Sequence, residues 1–118
     1  MAAAALVTDL FFVTKIKSTA DVLKVPLAIV RTGDALLAQV AAGAHPIIVD
    51  LNAAGVDVAD VIRRCKSAEN PPRIIAYLSH VQHELAEAAQ QAGADCVMPR
   101  SQFSADLPDL LKAAVWNG

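Results

Sequence analysis

Short, almost wholly apolar runs alternate with segments of helical periodicity along the whole 118-residue chain, and this alternation restricts the fold more than any other feature. The runs are Ala4 to Asp9, Leu27 to Arg31, Pro46 to Leu51, Arg73 to Ser79 and Cys96 to Pro99. A strand with one wet face alternates apolar and polar residues. Near-continuous apolar runs instead fit a parallel sheet with helices on both faces.

Helical spacing fills the intervals at Phe11 to Lys24, Gly33 to Ala42, Val56 to Ser67, Val81 to Ala92 and Ser104 to Trp116. Val58, Val61, Ile62 and Cys65 form one apolar stripe, and Leu107, Leu110, Leu111 and Ala114 form another. Thr32 and Ser104 suit helix N-caps, while Gly43 and Gly93 fall where a helix must end in a left-handed turn. Phe11, Phe12, Phe103 and Trp116 read as packing residues of the first and last helices.

Five βα units under right-handed crossovers have few good arrangements, and the flavodoxin-like three-layer sandwich with strand order 2-1-3-4-5 is the commonest. With 55% hydrophobic and 19% charged residues the chain can bury a core, and no shift in composition divides it, so residues 1–118 are expected to form one domain.

A net charge of −2 supplies no basic field, and Arg63, Arg64 and Lys66 are the densest basic group, so direct nucleic-acid binding is not expected. Cys65 and Cys96 lack zinc-site spacing and read as small apolar residues in a reducing compartment. His80 and His83 lack a third metal ligand and read as solvated residues at a helix start. The N-terminal stretch is apolar, but it has no basic flank and is interrupted by Asp9, so no secretory signal is expected. No apolar stretch reaches the length of a membrane span, and a cytoplasmic protein is the expectation.

In the 2-1-3-4-5 order the first and third strands are neighbours, and their carboxyl ends flank the crevice where open α/β sheets place their sites. Thr8, Asp9, Asp50, Asn52, Ser79, Arg100 and Ser101 stand at or just past the strand ends. Two carboxylates brought together there need a cation, a proton or a basic side chain, and Arg100 is at hand, either clamping Asp50 or neutralising the pair. Asp9 reads either as a site residue or as a helix cap, and Ser79 as a site hydroxyl, as the cap of a helix beginning near Val81, or as both.

The segments LVTDL, IIVDLN, IIAYLSH and GADCVMPRSQF resemble, in order and spacing, the four signature strand ends of response-regulator receiver domains, and the resemblance covers essentially the full length. It implies that Asp50 accepts a phosphoryl group from a histidine kinase. It further implies that Asp9, Asp50 and the main-chain carbonyl of Asn52 hold Mg²⁺, and that Ser79 binds phosphoryl oxygens. The chain departs from that pattern where Thr8 replaces the first residue of an acidic pair, Arg100 and Ser101 replace a lysine and proline, and Val97 replaces an aromatic residue.

Two readings follow from the resemblance. In one the chain is an ordinary phosphorylatable, Mg²⁺-dependent receiver that reshapes its fourth helix, fifth strand and fifth helix, a face that also suits a homodimer. In the other, which Thr8, Arg100 and Val97 favour, it is a degenerate pseudo-receiver that signals by protein-protein interaction without phosphorylation, to a kinase or another signalling protein. Neither is an enzyme. A small-molecule enzyme of flavodoxin-like fold ranks below both, because the turn TDLFF has no glycine with which to cradle a phosphate. Whether the chain works alone or within a larger protein is open.

Overall fold

The computed structural model describes residues 2–79 and 82–116 and, in the last helix, side chains as far as Lys112. Among these residues β1 (Ala3–Leu6), β2 (Leu27–Val30), β3 (Ile47–Asp50), β4 (Ile74–Leu78) and β5 (Cys96–Pro99) alternate with α1 (Leu10–Leu23), α2 (Gly33–Ala41), α3 (Val58–Lys66), α4 (His83–Ala92) and α5 (Arg100–Trp116). The strands form one parallel sheet in the order β2-β1-β3-β4-β5, the flavodoxin-like arrangement the alternation predicts. The expectations placed on His80, on Val81 as a helix start, and on the packing of Ala114 and Trp116 lie outside the described side chains.

Because successive strand residues point to opposite faces, each strand feeds two cores. Leu6, Ile47, Val49, Ile74 and Ala76 meet Leu36 of α2, the Val58, Val61, Ile62 and Cys65 stripe of α3, and Ala89 of α4. On the other face Ala5, Val7, Ile48, Ile75 and Tyr77 meet Phe12, Ile16 and Ala20 of α1 and Phe103, Leu107 and Leu111 of α5. Each fully buried side chain of this size contributes roughly 1.5–3 kcal/mol, which is why the strands are apolar on both sides.

The helix caps are partly as expected. Thr32 Oγ1 accepts the Ala35 amide at 3.1 Å, and Gly93 ends α4 at φ 118°, a left-handed conformation suited to glycine. Ser104, expected to begin the last helix, lies inside it, since α5 starts at Arg100. The reason is Phe103: full burial against the sheet draws the preceding turn into the helix. Ser79 does not cap the fourth helix either, because α4 starts at His83 with Gln82 at the N-cap. Strand β1 ends at Leu6, earlier than expected, leaving Thr8 and Asp9 in the connection to α1.

Candidate functional site

Asp50 is the last residue of β3 and shares the face of Ile48, yet it is only 2% exposed. An Asx-type turn holds it, with Oδ1 accepting the Asn52 amide at 2.8 Å. Burial raises the proton affinity of this carboxyl above the ordinary value, and the nearby Asp9 charge adds to the rise. The Asn52 amide, the Arg100 charge and the Tyr77 hydroxyl act in the opposite sense without overcoming it.

Asp9 does join Asp50 at the strand ends, and it is also a cap: its Oδ1 accepts the Phe12 amide at 3.1 Å, opening α1. Its other oxygen lies 3.9 Å from Arg100 Nη2. Arg100 therefore leans toward Asp9, and its guanidinium carbon rests 4.7 Å from the centre of the Phe12 ring. Among the described residues no ion pair joins Arg100 to Asp50, so the expected clamp on Asp50 is replaced by a loose contact with Asp9. The Phe12 ring supplies a physical reason, because a cation–π contact competes with Asp50 for the guanidinium.

The remaining predicted residues serve as braces. Thr8 Oγ1 accepts the Ala54 amide at 3.2 Å, tying the β1–α1 turn to the β3–α3 loop. The Asn52 side chain reaches the other way, accepting the Ser79 amide at 2.8 Å and donating to Gln82 Oε1 at 2.9 Å. Ser79 and Arg100 also wall an open cleft of about 550 Å³ together with Phe11, Phe12, Ser101 and Ser104. Val97, in place of an aromatic residue, lines a groove of about 160 Å³ with Leu78, His83, Ala86 and Pro99.

Tyr77 and Phe12 are part of this site; Phe12 is the packing residue of the first helix that the sequence indicates, while its contact with Arg100 and the whole role of Tyr77 went unread. Register pairs Tyr77 of β4 with Asp50 of β3. The tyrosine ring stacks on Phe103 at 4.3 Å and on Phe12 at 5.2 Å, beneath Arg100. Its hydroxyl is buried without a formed hydrogen bond, although it is near enough to the Asp50 carboxylate for the two to influence each other's proton affinity. The signal was the period of two along β4, which puts Ile75 and Tyr77 on one face. Without the strand register, nothing placed that face beside Asp50.

Among the described residues the carboxylates of Asp9 and Asp50 stand at these strand ends as oxygen donors. That chemistry suits a hard cation such as Mg²⁺, which keeps several of its waters. Among the described residues no group of three or more His, Cys, Asp or Glu gathers as a metal cage. Cys65 is buried, which pushes its thiol pKa up to about 11 and leaves it unreactive. No described helix is long and apolar enough to cross a membrane.

No family model matches the sequence, and no curated protein matches it. Solved structures do resemble the fold. A response regulator receiver domain from Bermanella marisrubri superposes with a TM-score of 0.80 at 20% identity, covering 97% of both chains. A response regulator from Hahella chejuensis gives 0.80 at 19% identity, over 98% of this chain and 96% of the other. The phosphorylated form of a cyanobacterial phytochrome response regulator gives 0.78 at 16% identity, over 99% of this chain and 96% of its own. At such identities the likeness is one of fold: this chain has the receiver architecture.

Proposed function

We propose that this chain is a receiver-type module of phosphorelay signalling whose Asp50 is the candidate phosphoacceptor, and whose weakened acidic pocket lets it recognise a partner largely without phosphorylation. The observation that carries the reading is Asp50 itself, 2% exposed at the carboxyl end of the central strand with an amide-bonded Oδ1. A buried carboxylate at the switch point is costly to a fold and rarely placed there for stability.

The weakening follows from the neighbours. Asp9 divides its oxygens between the α1 amide and Arg100, and Thr8 is committed to Ala54. Mg²⁺ would be held by Asp9, Asp50 and the Asn52 carbonyl, where it would neutralise charge on a phosphoryl group. The Arg100 charge beside Asp9 opposes it. A partner, either a histidine kinase or another signalling protein, would meet the chain at the cleft beside Arg100 or at the α4–β5–α5 face, where Val97 leaves a groove.

Amide resonances followed through a Mg²⁺ titration and then beryllofluoride addition test the pocket. The expected result is shifts at Asp9, Asp50 and Asn52 that appear only at high millimolar Mg²⁺. Their complete absence with either reagent removes Asp50 as a phosphoacceptor. Partner binding that survives Asp50→Ala supports recognition without phosphorylation, and binding that vanishes in this variant argues for the ordinary phosphorylation switch. That second reading draws support from Arg100, which leaves Asp50 unclamped.

A further inference from the structure

Tyr77 lies in register with Asp50, fully buried, and its hydroxyl has no formed hydrogen bond. The rings of Phe12 and Phe103 hold it at 5.2 and 4.3 Å, so the hydroxyl cannot swing out to water. Beside it, Asp50 has one carboxylate oxygen occupied by the Asn52 amide at 2.8 Å, and the other accepts none of the hydrogen bonds found among the described residues. Arg100 is turned toward Asp9 and Phe12, and among the described residues it forms no ion pair with Asp50. A buried donor without a partner and a carboxylate with only one oxygen engaged are thus neighbours in register, and a small shift of the ring or the carboxylate lets one hydrogen bond serve both.

We propose that the Tyr77 hydroxyl is a restraining donor to Asp50, bonding the open carboxylate oxygen and so favouring the unmodified aspartate over its phosphorylated form. The inference rests on the reading of Asp50 as a phosphoacceptor and adds a positioning residue to it.

The chemistry sets the sign. With an acyl phosphate donor, an Asp50 oxygen attacks phosphorus, the bond from phosphorus to the acyl oxygen breaks, and the carboxylate leaves with the electron pair. In hydrolysis a water oxygen attacks phosphorus and the bond to Asp50 breaks. The electron pair returns to the aspartate, while the water protons pass to phosphate and solvent. Asp50 is an anion before the first step and after the second, and an uncharged acyl group between them. A hydroxyl donor binds the anion more strongly than the acyl carbonyl, so it slows uptake of the phosphoryl group and hastens its loss.

Tyr77→Phe keeps the ring stack and removes only the donor. Incubated with acetyl phosphate and Mg²⁺, the variant should carry the phosphoryl group with a half-life longer than that of the unmodified chain by about ten-fold, the effect of one hydrogen bond to a charged group. An equal or shorter half-life overturns the proposal. A second readout needs no phosphoryl donor. Tyr77 is the only tyrosine, so the resonance Raman doublet of its phenol reports its hydrogen bonding without overlap. A donor signature that weakens in Asp50→Asn supports the contact, and a signature unchanged by that substitution overturns it. If the signature responds but neither protein is ever labelled, the phosphoacceptor reading falls, and the restraining role with it, while the Tyr77–Asp50 contact stands.

Discussion

Arg100 lies over Phe12, 4.7 Å from ring centre to guanidinium carbon, and reaches Asp9 only at 3.9 Å. The Arg100 guanidinium is held by an aromatic face as much as by a carboxylate, and this decides how the pocket should respond to change.

Arg100→Ala should cost about 1 kcal/mol in urea unfolding, since a loose, third-exposed ion pair adds little to the cation–π contact. The same variant should bind Mg²⁺ several-fold more tightly, because a positive charge beside Asp9 has gone. Arg100→Lys should retain most of the opposition to Mg²⁺. Tighter binding in both variants would show that size, and not charge, sets Mg²⁺ affinity.

Asp50→Asn should stabilise the fold by about 1–2 kcal/mol at neutral pH, by removing a buried charge while leaving an oxygen for the Asn52 amide. The pH dependence has a definite sign. The folded-state pKa is raised above 3.8 by burial, so the folded chain binds the proton more readily than the unfolded one. The Asp50 contribution to stability therefore improves as pH falls from the raised value toward 3.8, and the gap between variant and parent should close in acid. Unfolding curves at several pH values measure this.

Asp95 should behave oppositely. Its Oδ2 accepts both Lys66 Nζ and the Ile74 amide at 2.7 Å. Burial pulls its pKa upward, but those two bonds and the charges of Lys66 and Arg73 outweigh burial and lower it below 3.8. The resulting stability is present above 3.8 and is lost as pH falls through the folded value. Asp95→Ala should lose about 1 kcal/mol at pH 7, a figure kept small because the side chain is 40% exposed. Its own share of acid sensitivity should vanish with it, as acid-range unfolding would reveal.

Phe103→Ala should cost about 3–5 kcal/mol, the range for truncating a fully buried phenylalanine, with chemical denaturation as the measurement. The loss also frees the Tyr77 ring on one side, so near-ultraviolet dichroism should weaken together with stability.

Much of the fold was legible because its causes are local. Burial on both faces writes itself as Ala3–Leu6, Ile47–Asp50 and Ile74–Leu78, and the α3 stripe of Val58, Val61, Ile62 and Cys65 is a simple helical period. Element ends were less legible. Ser104 resembles a cap, yet the burial of Phe103 carried the helix back to Arg100, and a cap signal of about 1 kcal/mol cannot prevail against that.

The sequence alone determined the alternation of strands and helices, and through it the parallel order that brings Asp9 and Asp50 to one crevice. Only the tertiary structure decided what those residues touch. Arg100 turned to Phe12 and Asp9, the Asn52 side chain bridged to Ser79 and Gln82, and Tyr77 came to lie beside Asp50. The physical reason is separation along the chain. Periodicity acts between residues a few positions apart, whereas the partners of the site are set by strand register and ring packing between segments distant in sequence.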